Sequence, residues 1–324
     1  TYGCASTARL KNSEIDNVLT VVERQYKLML TASTDLTQYP RTSNPDGSVK
    51  YVGIKDWTGG FWPGSMWYLY DLTKNQNWEN SAVKWTESLE NNQYNTEHHD
   101  IGFMMYCSYG NAIRHIKSEE YKDILIQSAK SLIKRYDPRV GSIKSWNAKK
   151  SWDGHTWHFP VIIDNMMNLE LLFYASKVTG DPIYKDIAIK HAETTLKNHF
   201  RPDYSSYHVV DYDTATGKVL AQQTNQGFSD NSQWARGEAW AIYGFTVMYR
   251  ETKEKRFLDA AQKMADFYIN HPNMPKDKIP YWDFNVDQPG YKPDWNYDKS
   301  KFSFIPRDAS AAAVTASALM EMHK

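Results

Sequence analysis

The sequence has little cysteine. Cys4 and Cys107 are its two cysteines in 324 residues, and two thiols cannot build a disulfide framework. Neither belongs to a CxxC or a paired Cys/His spacing, so the pattern argues against a zinc site. We therefore expect a core held together by apolar packing, with no bound metal.

An excess of one charge and a long apolar run are also missing. The 38 basic and 38 acidic residues cancel, so no broad field attracts nucleic acid or an anionic membrane. The sequence contains no run of 18 or more apolar residues, which is the length that would predict a membrane span. Recognition of an anionic ligand must therefore depend on local groups.

The amino-terminal residues carry an expectation about location. The chain starts at Thr1 without a methionine, a charged segment or an apolar segment, so we expect a signal peptide to have been removed. The Gly3-Cys4 pair loosely resembles the point at which bacterial lipoproteins are cut and acylated. We expect residence in the periplasm, with a lipid anchor at Cys4 as one form of it, and the cytoplasm as second choice.

Aromatic residues are abundant where a core does not require them. They make up 14% of the chain, including 12 Trp and 22 Tyr. Both side chains combine an apolar body with a polar tip, which suits stacking on sugar rings and hydrogen bonding to their hydroxyls. Ordinary core packing is the alternative explanation.

Apolar residues recur at three- and four-residue steps through most of the chain, which predicts α-helices. The first such run begins at Ile15, and the last begins near Ser310. Between them, further runs cover 78–92, 101–116, 121–136, 165–178, 183–200, 236–250 and 257–270. Alternating segments are few, and Tyr207–Tyr212 with Lys218–Gln222 predict one short hairpin. The chain is therefore expected to be all-α.

A tight polar turn recurs between successive helices. In one example Gly180 ends a helix, and Asp181 with Pro182 starts the next. The recurrence predicts stacked helical hairpins, and without a linker or composition break we expect one domain, 1–324. The longer connections carry much of the Trp, Gly, Asp and His, which is typical of a binding cleft; they are 34–60, 137–163, 201–233 and 273–307.

Two aspartates stand where a polar loop meets an apolar helix. Asp100 precedes Ile101, and Asp164 follows Ile163. Each could simply cap its helix. Alternatively both face one cleft, where apolar neighbours and the second carboxylate raise the pKa of one of them and let it donate a proton. The residues alone leave both interpretations open.

The second half of the chain holds a candidate anion site. On a helix, Arg236 and Trp240 share a face, and a guanidinium beside an indole suits a sugar carboxylate. The structural alternative pairs Arg236 with Asp230 or Glu238. His208 could orient water or cap a turn, and the residues alone favour the turn.

Glycine and tryptophan are concentrated between Asp56 and Gly64. Glycine allows close backbone approach, so Trp57 and its aromatic neighbours could form the wall of a pocket. Packing of a long loop against the scaffold is the alternative. His98 and His99 are adjacent, so we expect their side chains to point apart and not to share a metal.

Six segments resemble glycoside hydrolase family 88, the unsaturated glucuronyl hydrolases, and they occur in the family's order. They are WTGGFWPG at 57–64, HDIGFMMYCSYGNA at 99–112, IIDNMMNLELL at 162–172, HVVDYD at 208–213, QGFSDNSQWARGEAW at 226–240 and PRDASAAA at 306–313. Six segments in order are much more specific than any one alone. The unsaturated rhamnogalacturonyl hydrolases of family 105 share the barrel, but WARGEAW is more similar to family 88.

The resemblance implies an (α/α)6 barrel, a ring of six helical hairpins. We predict about ten helices where twelve are needed, so the last helices of the ring are expected to be missing from this chain. The resemblance also implies that Asp164 is the general acid/base and Asp100 a second essential aspartate, without cofactor or metal. Further positions match those that line the family's sugar site: His208, Gln226, Arg236, Trp240 and Trp57.

The implied activity releases a 4,5-unsaturated uronic acid from the non-reducing end of lyase-generated oligosaccharides of the glycosaminoglycan type, by hydration of the C4–C5 double bond. The expected partner is a small anionic oligosaccharide, and no oligomeric state is predicted. A family 105 activity is the enzymatic alternative. A non-catalytic sugar-binding barrel is the alternative from another class, but the presence of both Asp100 and Asp164 favours an enzyme.

Overall fold

The computed structural model describes residues 12–293 and 295–324. Ten α-helices lie in these residues: α1 (Asn12–Ala32), α2 (Phe61–Thr73), α3 (Gln76–Glu87), α4 (Ile101–Ala112), α5 (Glu119–Ile133), α6 (Leu169–Thr179), α7 (Ile183–Asn198), α8 (Ala235–Thr252), α9 (Lys255–Asn270) and α10 (Ala309–Met322). The strands are short: β1 (Tyr39–Ser43), β2 (Val49–Val52), β3 (Tyr136–Asp137), β4 (Ser142–Ile143), β5 (Lys149–Lys150), β6 (Thr156–Trp157), β7 (Pro160–Ile162), β8 (Val209–Tyr212) and β9 (Val219–Gln223).

The helices associate as hairpins arranged in two layers. Each of α2, α4, α6 and α8 packs against the helix that follows it. The same four helices and α10 also contact one another in chain order, which makes them the inner layer. The predicted α/α barrel is confirmed. The described part of the chain contains ten of the twelve helices that six hairpins require.

The turn between α6 and α7 has the predicted chemistry. Gly180 ends α6 in the left-handed conformation, with φ of 74°, and its N–H donates to the Ser176 carbonyl. Asp181 then accepts from the N–H of Ile183 at 2.9 Å at the start of α7. Glycine is suited to the first position because it has no Cβ to clash at positive φ.

The segment between Asp56 and Gly64 is partly loop and partly helix, and the predicted connection 34–60 ends where the helix begins. Its second half is helical, since α2 begins at Phe61. Trp62 is buried and stacks on Tyr26 of α1, with ring centroids 5.4 Å apart. Trp62 therefore packs within the scaffold, whereas Trp57 stays outside the helix.

The predicted hairpin is confirmed as β8 and β9, which pair in antiparallel fashion. A third strand that the sequence did not predict, β7, joins the other side of β8. This strand leads directly into a 3-10 helix, Ile163–Asn168, which precedes α6. The small sheet thus joins the segment 201–233, which contains β8 and β9, to the start of the inner helix α6.

A large apolar cluster extends along the described chain from Tyr39 to Ala318. In residues 12–293 and 295–324, no helix has both the length and the apolar character needed to cross a membrane. The predicted lipid anchor at Cys4 lies outside the described residues. The single-domain boundaries and the periplasmic location stay predictions.

Two inner-layer contacts depend on the absence of a side chain. A Cβ on Gly102 in α4 would lie 2.5 Å from the Cα of Asn168, and one on Gly60 would lie 2.1 Å from the Met104 carbonyl oxygen. Real atoms do not approach so closely, and both obstacles are backbone. Beside Gly102, the N–H of Phe103 donates to Asn168 Oδ1 at 2.9 Å. Gly102 therefore sets how closely α4 packs against the 3-10 helix.

Replacing Gly102 with alanine is expected to lower the free energy of unfolding by up to about 2 kcal/mol, because overpacking strain of about 1–3 kcal/mol exceeds the roughly 1 kcal/mol that alanine adds to a helix. Thermal unfolding measures the change. The control is Gly53→Ala, whose added methyl group meets nothing within 4 Å. A Gly102→Ala protein as stable as the control would contradict the argument.

Candidate active site

Backbone pairing brings Asp164 to His208. In the register of β7 and β8, Ile162 lies opposite Val209, and the N–H of Ile163 donates to the His208 carbonyl at 3.0 Å. The next side chain along the chain, Asp164, places Oδ1 3.5 Å from His208 Nε2. Among the described residues neither atom has a hydrogen-bond partner, and both atoms are buried.

The tautomer of His208 is set by a turn. Its Nδ1 accepts from the backbone N–H of Asn225 at 3.0 Å and of Gln226 at 3.1 Å. An atom that accepts two N–H groups carries no proton, so the proton of the neutral ring is on Nε2. Burial lowers the pKa of His208, although Asp164 acts in the opposite direction. His208 therefore presents a neutral N–H toward Asp164, and it also holds the turn.

Asp100 occupies the residue before α4 but does not cap it with its side chain. Instead, one carboxylate oxygen lies 3.1 Å from His98 Nδ1 and the other lies 3.3 Å from His99 Nε2. Burial acts to raise the pKa of Asp100, but His99 and His98 outweigh it and hold that pKa well below its ordinary value. Asp100 is therefore ionised at neutral pH.

The expectation that His98 and His99 point apart is wrong. They converge on one carboxylate, because they lie in an irregular segment before the helix where adjacent side chains need not diverge. The residues described contain no cluster of three or more His, Cys, Asp and Glu side chains suited to a metal ion. The two histidines instead stabilise the negative charge of the Asp100 carboxylate.

Ser145 ties the two aspartates to one piece of backbone. Its carbonyl accepts from the N–H of His99 at 3.0 Å, and its hydroxyl accepts from the N–H of Ile162 at 2.9 Å. These donors lie one residue before Asp100 and two residues before Asp164.

The interpretation of Asp164 as a helix cap also fails, because Asp164 lies within the 3-10 helix and is 7% exposed.

Arg236 is oriented by two partners. One terminal nitrogen, NH1, donates to Asp308 Oδ2 at 2.8 Å, and the other, NH2, donates to Gln226 Oε1 at 3.2 Å. The guanidinium lies over the Trp234 ring, 5.0 Å from its centroid. The alternative partners Asp230 and Glu238 were wrong. The indole under this guanidinium is therefore Trp234 and not the predicted Trp240. The Trp234 ring also contacts the His208 ring, with centroids 4.4 Å apart.

Trp57 and Trp240 belong to an aromatic cluster centred on Phe103. The Phe103 ring lies 5.6 Å from that of Trp57 and 5.2 Å from that of Trp240. Trp240 is only 5% exposed, so its broad face packs against protein. Trp57 is partly exposed, and of the two it offers more surface to a sugar ring.

A sequence model of Glycosyl Hydrolase Family 88 matches residues 31–279. The chain belongs to glycosyl hydrolase family 88. The predicted family is therefore confirmed, and the protein is a glycoside hydrolase.

Individual relatives agree with the family. The unsaturated glucuronyl hydrolase of Formosa agariphila is 43% identical over 99% of this chain and 77% of that protein. The unsaturated chondroitin disaccharide hydrolase of Streptococcus agalactiae is 32% identical over 89% of this chain and 68% of that protein. A solved unsaturated glucuronyl hydrolase specific for heparin is similar with a TM-score of 0.83 and 45% identity, covering 95% of this chain and 78% of the other.

Three residues of the family 88 enzyme's site were not singled out from the sequence. Ser145 gave no signal, because an isolated serine in a long connection has many roles. Asp308 lies in the PRDASAAA segment and caps α10 by accepting from the N–H of Ala311, but its contact with Arg236 is long-range. Trp234 stood beside Arg236 in the sequence, and only the helix spacing favoured Trp240 over it.

Glu238 anchors the chain just before His208. It lies on α8, is 1% exposed, and its two carboxylate oxygens accept from the Ser206 N–H at 2.9 and 3.1 Å. Burial raises the pKa of Glu238 from 4.5 to about 8. Between these values the folded protein holds a proton that the unfolded chain releases, so stability present below pH 4.5 is lost as the pH rises toward 8.

Replacing Glu238 with glutamine removes this proton uptake. The Tm of the unaltered enzyme should fall relative to that of Glu238→Gln between about pH 5 and 8 and then level off. Thermal unfolding at a series of pH values measures the difference. Glu120→Gln, an exposed position on α5, is the control and should follow the unaltered enzyme throughout. Parallel profiles for Glu238→Gln and the unaltered enzyme would refute the shift.

Proposed function

We propose that the family 88 enzyme releases the 4,5-unsaturated uronic acid from the non-reducing end of lyase-generated oligosaccharides, with Asp164 as the proton donor. The observation that carries the proposal is the pairing of Asp164 with a His208 ring whose Nε2–H faces it. The names of the relatives from Formosa agariphila and Streptococcus agalactiae support the same substrate class.

The chemistry requires one carboxyl group that acts twice. The double bond of the unsaturated uronate is an enol ether, so a proton from Asp164 adds to C4 and positive charge develops at C5 and the ring oxygen. Water then adds through its oxygen to C5, and its proton returns to Asp164. The hemiketal opens by breaking the bond between C5 and the ring oxygen, which leaves a ketone at C5 and a hemiacetal at C1. The hemiacetal then collapses to an aldehyde: the bond from C1 to the glycosidic oxygen breaks, that oxygen takes up a proton, and the remaining sugar departs. General acid–base catalysis of this kind contributes roughly 10²–10⁴-fold in rate.

The neighbouring groups have distinct parts in this scheme. His208 presents a fixed N–H beside the carboxyl, which suits it to orient the water. His98 and His99 keep Asp100 ionised by lowering its pKa. The negative charge of Asp100 would then stabilise the positive charge that develops on the sugar. Asp100 can also accept hydrogen bonds from sugar hydroxyls.

Arg236 is the proposed partner of the uronate carboxylate. Its guanidinium is held in orientation by Asp308 and Gln226, and a planar fork of donors matches a planar carboxylate. Gln226 also donates its backbone N–H to His208. Binding of the carboxylate and placement of the water are therefore linked through one residue. Trp57 supplies the partly exposed ring for stacking.

Replacing Asp164 with asparagine keeps the shape of the side chain and removes the proton donor, so turnover should fall by at least about 10²-fold. Loss of absorbance of the C4–C5 double bond measures it. Asp181→Asn makes the same change at the start of α7, where asparagine also caps well, and should retain activity. Near-normal turnover by Asp164→Asn would end the proposal. A sugar-binding barrel without activity predicts no turnover even by the unaltered chain.

The family 105 alternative is separated by substrate. Unsaturated disaccharides made by lyases from glycosaminoglycans should be turned over with a kcat/KM at least about tenfold higher than those made from pectin, which corresponds to about 1.4 kcal/mol of transition-state discrimination. The same absorbance assay measures both. Equal or reversed preference would favour the unsaturated rhamnogalacturonyl activity.

A further inference from the structure

Lys149 lies on β5, beside the site that contains Asp164 and His208, and it has no part in the proposed reaction. Its ammonium nitrogen is 4.4 Å from the centroid of the Trp146 ring and 5.7 Å from that of Trp157. It donates to Asn225 Oδ1 at 2.8 Å. The side chain as a whole is exposed. The ammonium is therefore fixed by two indoles and an amide, while a ligand can still reach it.

Two contacts connect Lys149 to His208. The residue that accepts from its ammonium, Asn225, donates its backbone N–H to His208 Nδ1 at 3.0 Å. The Trp146 ring under the ammonium meets the His208 ring edge-on, with centroids 6.0 Å apart. Burial lowers the pKa of His208, and the charges of Arg236 and Lys149 lower it further. Lys149 thus adds a second positive charge, after that of Arg236, close enough to act on the pair formed by Asp164 and His208.

The surroundings of Lys149 favour an anionic ligand. Its hydrogen-bond partner is a neutral amide oxygen, which does not neutralise its charge. Loss of hydration against the indoles lowers the pKa of Lys149. An ammonium in this state gains from a nearby anion, because a charge-assisted hydrogen bond is about twice as strong as a neutral one.

We propose that Lys149 binds a sulfate group on the substrate and makes the enzyme selective for sulfated unsaturated oligosaccharides. This inference rests on the proposed function. Sulfate suits Lys149 better than the uronate carboxylate does, since a tetrahedral anion has no need of a planar fork and an ammonium acts as a point charge. Arg236, with its oriented guanidinium, already provides the fork for the carboxylate. Lys149 is therefore a specificity residue for a group that projects from the sugar ring.

The experiment compares kcat/KM for a sulfated and an unsulfated unsaturated disaccharide of the same sugars. Lys149→Met should lower the ratio of the two values by at least about tenfold, the loss of one charge-assisted hydrogen bond. Lys150→Met is the matched control, since successive strand residues point to opposite faces, and should leave the ratio unchanged. Lys149→Arg should retain most of the selectivity, because it keeps the charge.

Other outcomes have defined meanings. An equal loss on both substrates means that Lys149 acts on the uronate carboxylate or on the Asn225 turn, and it overturns the sulfate assignment. An unchanged ratio also overturns it. If the unaltered enzyme turns over neither disaccharide, the proposed function fails. Calorimetric binding of the two disaccharides to the unaltered chain and to Lys149→Met then decides the sulfate assignment by itself.

Discussion

The pairing of β7 with β8 is the constraint on which the site depends. A single hydrogen bond, from the Ile163 N–H to the His208 carbonyl, lies at the end of this pairing and precedes Asp164 by one residue. Because side chains alternate along a strand, a shift of register by one residue would turn His208 to the other face. A three-residue strand thus decides whether carboxyl and imidazole meet.

A chain of polar contacts extends from this pair to the carboxyl-terminal part of the fold. Asn225 and Gln226 fix His208, Gln226 contacts Arg236, and Arg236 contacts Asp308, the residue that caps α10. His208 directly precedes β8, Asn225 and Gln226 follow β9, Arg236 lies on α8 and Asp308 directly precedes α10, so these contacts link the sheet to both helices. The groups proposed to bind the substrate and the groups proposed to place the water are therefore parts of one network, in which a change at one end alters geometry at the other.

Sequence reasoning predicted what depends on local pattern and missed what depends on distant partners. Helical periodicity, the Gly180 turn and the β8–β9 hairpin were confirmed, and the resemblance identified the family. The strand β7 was missed because three residues carry too little pattern. The partner of Arg236 was wrong because Asp308 is far away in the chain, whereas Glu238 was near. The roles assigned to Asp100 and Asp164 stay predictions, although the structure anchors both through Ser145.

The contact between Arg236 and Asp308 has a consequence for protein synthesis. A nascent chain that has emerged as far as α8 already contains both aspartates, His208, Gln226 and Arg236. The guanidinium lacks its ion-pair partner until α10 has also left the ribosome and folded. With Arg236 in its proposed role, affinity for an acidic sugar is thus completed last, and a growing chain in which Asp164 and His208 already meet would still bind the uronate weakly.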